Sequence, residues 1–213
     1  MTPARKPIIG LVGRIGAGKS TVARLLASRG GLRIDADALG HEALDVPEIQ
    51  PQIVARWGKD MLKPDGTVNR QALAAVVFAN HNERQVLEAL VHPEIRRRAE
   101  RALVAADADP SVRFVVLDAA LLLEAGWADL CDRIILVDAP QDVRLARVQA
   151  RSGWTAADLA KREAAQWPIE TKRQHADVIL ENRDSPEMLA IQVDSLLNSW
   201  GLVPESTNSI IHC

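Results

Sequence analysis

Residues 13–20 read Gly-Arg-Ile-Gly-Ala-Gly-Lys-Ser, and their neighbours leave this string little choice of fold. The spacing is G-x-x-x-x-G-K-S. It follows an apolar run, Ile8–Val12, that reads as a buried strand, and it precedes Val22, Leu25 and Leu26, which recur at helical spacing until Gly30-Gly31 stops the pattern. Strand, glycine loop and helix together form an anion cradle. Glycines let successive backbone N–H groups turn inward, and the helix adds the positive end of its dipole. Lys19 is placed to bridge the β- and γ-phosphates of a nucleoside triphosphate, and the Ser20 hydroxyl to ligate magnesium. The alternative is a glycine-rich turn that holds nothing, and the flanking strand and helix speak against it.

The rest of the chain continues the alternation. Strand-like runs are Leu32–Ile34, Arg113–Asp118, Arg133–Asp138 and Asp177–Leu180. Between and after them come helical patterns over Gln141–Arg151, over Thr155–Gln166 with Thr155 and Asp158 as a capping box, and from Ser185-Pro186 to Gly201. This pattern predicts an α/β fold of the P-loop NTPase type, a mostly parallel sheet flanked by helices. Residues 39–111 differ: Gln71–Ala79 and Glu83–Val91 are helical around the turn Pro64-Asp65-Gly66, and no strand pattern appears. The predicted organisation is a nucleotide-binding core of residues 1–38, 112–140 and 174–203, a helical insertion of 39–111, a lid of 141–173, and a disordered tail of 204–213. Ligands of such sheets lie beyond the carboxyl ends of the strands. That rule sends Gly13–Ser20, Asp35, Asp37, Asp118 and Asp138 toward one crevice.

A formal net charge of −2 argues against a nucleic-acid binder working by bulk charge, so any anion must be held by local geometry. No apolar run is long enough to span a bilayer, and no signal peptide opens the chain. Cys131 and Cys213, the two cysteines, read as thiols in a reducing compartment. The expectation is a cytoplasmic protein, a monomer, with neither membrane nor nucleic acid as partner.

Several side chains are candidates for chemistry. Asp35 and Asp37, two apart at a strand end, would face the same side in extended geometry, and Asp37, further out, is the candidate general base. The competing assignment makes Asp37 the cap of a helix starting near Ala38. Arg144, Arg147 and Arg151 share one helix face. Arg147 is the one expected to stabilise the transferring phosphoryl group from a mobile lid, whereas Lys161, Lys172 and Arg173 are expected on a solvated face. Asp118 and Asp138 each end an apolar strand. One of them at most would serve the magnesium, the other capping or orienting. His92 reads as structural, with Pro93 a potential helix break, and the five scattered tryptophans read as packing.

These residues resemble the dephospho-CoA kinases, which catalyse the last step of coenzyme A synthesis. The resemblance spans Ile8 to Leu197. It rests on residues 10–21, on Ile34-Asp-Ala-Asp37 with His41-Glu42, and on Asp65-Gly66, Arg70, Leu73, Phe78 and Val91-His-Pro93. Further along it takes in Val115–Asp118 with Leu121, Leu122 and Glu124, then Arg147, Arg151, Arg162 and Gln166, and finally Ala176-Asp177 with Asn182. It implies a P-loop core, a helical domain for the CoA moiety and a lid. By that resemblance ATP is held by Gly13, Gly16, Ala17, Gly18, Lys19, Ser20 and Thr21 with Arg147 and Asn182. Asp37, Lys19 and Arg147 are implied as catalytic residues. Dephospho-CoA would be held by Asp37, Arg70, His92, Leu121, Leu122 and Glu124, with Ser20 on Mg2+. The chain departs from the family's usual pattern at Arg14, at Ala120 where proline is usual, and at Arg183 where glycine is common.

Rival readings are a nucleoside or nucleoside monophosphate kinase and, outside enzymes, a nucleotide-dependent switch. The insertion after Asp37 and the His92-Pro93 pair oppose the first. The absence of an Asn/Thr-Lys-x-Asp guanine motif opposes the second, and no Leu-Ser-Gly-Gly-Gln signature marks an ABC module.

Overall fold

The structure is a computed structural model that describes residues 5–164 and 166–202, so the predicted disordered tail 204–213 lies outside the described residues. Five strands, β1 (Ile8–Gly13), β2 (Gly31–Asp35), β3 (Phe114–Asp118), β4 (Arg133–Asp138) and β5 (Val178–Glu181), form one sheet in the order β2-β3-β1-β4-β5. The pairs β1–β3, β1–β4 and β4–β5 are parallel, with Leu11 opposite Asp118 on one side and Ile135 on the other. The apolar runs read from the sequence are these strands to within a residue or two. β1 and β3 are buried along their whole length, as expected of parallel strands covered on both faces. Because β1 lies centrally, with β3 and β4 on opposite sides, the loop after β1 opens at a switch point of the winding.

Helices α1 (Lys19–Ala27) and α9 (Pro186–Ser199) pack on this sheet. Ile9, Leu11, Val22, Leu26, Phe114, Val116, Ile135, Leu180, Leu189 and Val193 form its main apolar cluster. Ser185 caps α9 by accepting from Met188 N, and Pro186 stands in its first turn. α6 (Gln141–Ser152), α7 (Ala156–Glu163) and α8 (Ile169–His175) follow β4. The Thr155–Asp158 capping box is present, with both reciprocal bonds made.

The chain divides into two compact units: Met1–Ile34 with Ala105–Cys213, and Asp35–Val104. The second unit holds α2 (Ala36–Ala43), α3 (Gln50–Trp57), α4 (Arg70–Ala79) and most of α5 (His81–Ala108). Its turn at Pro64–Gly66 is pinned by Asp65, whose Oδ1 accepts from Thr67 N and Oγ1 at 2.9 and 2.6 Å. Ile53, Met61, Val68, Leu73, Val91, Ile95 and Ala99 are buried within it. One expectation fails here. Pro93 does not end a helix; α5 runs on for 28 residues. Proline removes one donor and crowds the preceding turn, but Val91, Ile95 and Ala99 bury one face on both sides of it, and that packing holds the helix together.

Candidate active site at the phosphate loop

α1 begins directly at Lys19, and its N-cap is Gly18 at φ +99°, with no side-chain cap and no acid in the first turn. A helix start without cap or acid can accept an external anion at its positive end. Gly16 also has positive φ, +78°. At Gly18 the backbone sign is not the only constraint, since a Cβ there would lie 2.0 Å from Asn182 Nδ2. The predicted cradle is thus built at the carboxyl end of the central strand. Ala17 is buried within it, Ser20 is exposed in the first helical turn, and Thr21 is half-buried.

Three side chains from later in the chain hold this loop. Asn182, just past β5, donates through Nδ2 to Ala17 O at 2.8 Å, and its own N–H donates to Asp138 O at 2.8 Å. Arg147 on α6 donates through Nη1 to Gly16 O and Ala17 O at 3.3 and 3.4 Å, and through Nη2 to Asn182 O and Oδ1 at 3.1 and 3.2 Å. Arg144, one turn earlier and fully buried, donates to Ile15 O and Ala139 O at 3.2 Å each and pairs with Glu163 of α7. Arg151, the third arginine of the face, is exposed. A buried guanidinium needs partners on most of its donors, and Arg144 finds them in the loop, in β4's exit and in α7.

Lys19 points at the end of β3, where it pairs with Asp118 Oδ1. Asp118 is only 2% exposed, and its Oδ2 accepts from Arg33 Nε and Nη2 at 2.9 and 2.6 Å. Asp138, which ends β4, is engaged differently. Its Oδ1 accepts from Ala139 N at 2.9 Å and its Oδ2 from Arg173 Nη2 at 2.5 Å. An open hollow of about 270 Å3 adjoins it, lined by Arg14, Pro140, Gln141, Arg173, Glu181 and Arg183.

The expectation of a solvated basic face holds for Lys161, which is exposed, holds in part for Arg173, whose side chain is 38% exposed, and fails for Lys172. Arg173 is tied to Asp138. Lys172 is 1% exposed, with Nζ 3.1 Å from Glu124 Oε1, and that oxygen also accepts from Trp167 N at 2.7 Å. The loop after β3 is thereby held by the α7–α8 connection, and Gln166 Nε2 reaches Ala120 O at 3.5 Å. In the same loop Leu122 is fully buried against Gly10 of β1, while Leu121 is half-buried. Cys131 packs on Gly10 as well. Burial first, then Asp132 and Asp129, push its thiol up to about 12. It is a free thiol.

The remaining candidates belong to the second unit. Asp35 is the N-cap of α2, accepting from Ala38 N at 3.0 Å, so Asp37 does not cap. Nor is the pair extended: Asp37 sits within the first helical turn, exposed. Arg70, at the start of α4, donates to His41 O and Asp45 Oδ2 at 3.0 Å each. The Val68 N–H and then Arg70 hold the Asp45 carboxyl below its usual range against the effect of burial. His92 is half-buried on α5.

Sequence reasoning missed Arg33, Arg144 as a clamp, Glu163 and Lys172. The local signal for Arg144 was its place three residues before Arg147. Lys172 carried none, because only its distant partner distinguishes it from a surface lysine. Among the described residues no group of three or more His, Cys, Asp or Glu is arranged to hold a metal, and no helix is long and apolar enough to cross a membrane.

Residues 7–187 match the family described as dephospho-CoA kinase. A dephospho-CoA kinase of Anaeromyxobacter dehalogenans is 41% identical over 194 residues, covering 89% of this chain and 90% of the relative. Among solved structures, a Thermus thermophilus protein superposes with a TM-score of 0.77 at 38% identity, over 92% of this chain and 98% of that one. The dephospho-CoA kinase of Campylobacter jejuni shares the fold, with a TM-score of 0.61 at 24% identity over 92% and 98%. The chain belongs to the dephospho-CoA kinase family.

Proposed function

We propose that this member of the dephospho-CoA kinase family transfers the γ-phosphoryl group of ATP to the ribose 3′-hydroxyl of dephospho-CoA, giving ADP and coenzyme A. The observation that carries the reading is the uncapped α1 N-terminus at Gly18-Lys19, closed over by Arg144, Arg147 and Asn182 at the carboxyl end of the central strand. Backbone N–H groups of Gly13–Thr21 hold the phosphates, and Lys19 moves from Asp118 to the β- and γ-oxygens. Ser20, exposed in the first turn, suits a magnesium ion that otherwise keeps water and phosphate ligands, and the ion would neutralise charge on the phosphates.

Asp37 acts as the general base. It accepts the proton of the 3′-hydroxyl as that oxygen bonds to the γ-phosphorus, while the bond to the β-phosphate oxygen breaks and the electron pair leaves on ADP. Arg147, already above the loop, supplies cationic donors to the transferring group, and residues 141–173 act as the lid that excludes water. Asn182 keeps the loop in shape through Ala17 O. Residues 39–111 supply the acceptor site, with Arg70 and His92. Both substrates are soluble anions, which supports a cytoplasmic enzyme with no membrane or nucleic-acid partner.

A coupled ADP-release assay with ATP, magnesium and dephospho-CoA, run beside AMP, CMP and adenosine, tests the proposal. ADP formed with dephospho-CoA alone, and a product of coenzyme A mass, is the expected result. Turnover with a nucleoside or its monophosphate in place of dephospho-CoA would refute it.

A further inference from the structure

Asp118 is a nearly inaccessible carboxylate that holds two cations at once, Lys19 on Oδ1 and Arg33 on Oδ2. The two cations come from different places. Lys19 belongs to the phosphate loop, whereas Arg33 projects from β2, which neighbours β3 in the sheet, and a third of its side chain is exposed. This arrangement bears on nucleotide binding. A lysine that serves the β- and γ-phosphates must loosen its hold on Asp118. Stripping a buried carboxylate of its last counter-charge is strongly unfavourable, so a lone Asp118 would keep Lys19 for itself. With both Nε and Nη2 of Arg33 on Oδ2, Asp118 stays paired after Lys19 departs.

We propose that Arg33 is a positioning residue for the donor nucleotide: by keeping Asp118 neutralised, it frees Lys19 to engage the phosphates. The inference rests on the reading that the loop holds a nucleoside triphosphate through Lys19. Arg33 acts through Asp118 and Lys19, without touching the reacting atoms. Its effect therefore falls on ATP binding before it falls on the chemical step.

The test measures the ATP dissociation constant by calorimetry, together with KM for ATP and kcat, in wild type, Arg33→Met, Arg33→Lys, Asp118→Asn and the double variant Arg33→Met with Asp118→Asn. Arg33→Met is expected to weaken ATP binding and raise its KM by about tenfold, equivalent to ~1.4 kcal/mol. kcat should fall much less, and Arg33→Lys should recover most of the loss. In the Asp118→Asn background, where no carboxylate competes for Lys19, Arg33→Met should leave ATP affinity unchanged. Equal ATP affinity in wild type and Arg33→Met overturns the proposal, and so does an equal loss with and without the Asp118 charge. If Arg33→Met fails to fold, Arg33→Gln replaces it in both backgrounds under the same criteria. Wild type that binds no ATP would instead overturn the nucleotide reading itself, which keeps the two failures apart.

Discussion

Replacing Gly18 by alanine perturbs two things that the structure allows one to separate. The residue sits at φ +99°, where a side chain costs roughly 1–2 kcal/mol. The new Cβ would also stand 2.0 Å from Asn182 Nδ2, a contact that cannot persist. The amide must swing away, breaking its 2.8 Å bond to Ala17 O in a buried site and its link to Arg147. The buried Asn182 amide left without its acceptor costs about 1–3 kcal/mol, while Ala17 O keeps only the 3.4 Å bond from Arg147. The sum is about 3 kcal/mol of lost stability, or roughly 6–12 °C in Tm for a chain of this size. Asn182→Ala removes the obstructing amide beforehand, so Gly18→Ala in that background should cost only its conformational part, roughly 1–2 kcal/mol. Urea unfolding of the two single variants and the double variant closes the cycle, with an expected coupling of about 1–3 kcal/mol. Costs that add to within about 0.5 kcal/mol would refute the contact between Asn182 and Gly18 as the reason glycine is required. Should the coupling appear, ATP affinity in Asn182→Ala should fall as well, since the loop loses its tether at Ala17.

Three further outcomes follow from the same geometry. Asp37→Asn should lower kcat by about 10²–10⁴-fold while ATP binding stays near wild type, and a variant with full turnover would remove Asp37 as the base. Lys172→Met should destabilise the protein by about 3–5 kcal/mol because it strands Glu124, and adding Glu124→Gln should restore part of that; no recovery in the double variant would count against the buried pair. Cys131, whose thiol is pushed up to about 12, should resist iodoacetamide at pH 8 until the chain is unfolded in urea. The sign for stability follows from that raised value. The thiol's contribution is fully present below the unfolded thiol's pKa, near 8.5, and is lost as pH rises toward about 12. Cys131→Ala should flatten this alkaline dependence, and an unchanged urea midpoint profile from pH 8 to 11 would contradict it.

What could be read locally was read well. The five apolar runs became the five strands, the Thr155–Asp158 box and the Ser185 cap are made, and the loop at Gly13–Ser20 lies where strand and helix required it. The Asp35–Asp37 pair shows where that reading stops. Two aspartates at a strand end suit both an extended pair and a helix cap, and the answer was a cap at Asp35 with the helix already begun at Ala36. Pro93 gives the opposite lesson. A local rule for helix breaking yields to the burial of Val91, Ile95 and Ala99 along one side of α5.

The sequence alone determined the strand–loop–helix cradle and the alternation that makes a parallel sheet, because each depends on residues within a few positions of one another, and it determined the family through motifs spread from Ile8 to Leu197. Charge placement was decided only by tertiary structure. Lys172, Arg144 and Arg33 resemble any surface cation in sequence, and what buries or binds them is a carboxylate brought from elsewhere: Glu124, Glu163 and Asp118. Lys19 meets Asp118 across 99 residues, and Asn182 meets Ala17 across 165. The desolvation cost of a charge is set by its final surroundings, so whether such a residue is solvated, clamps a loop or waits for a phosphate is a property of the folded chain.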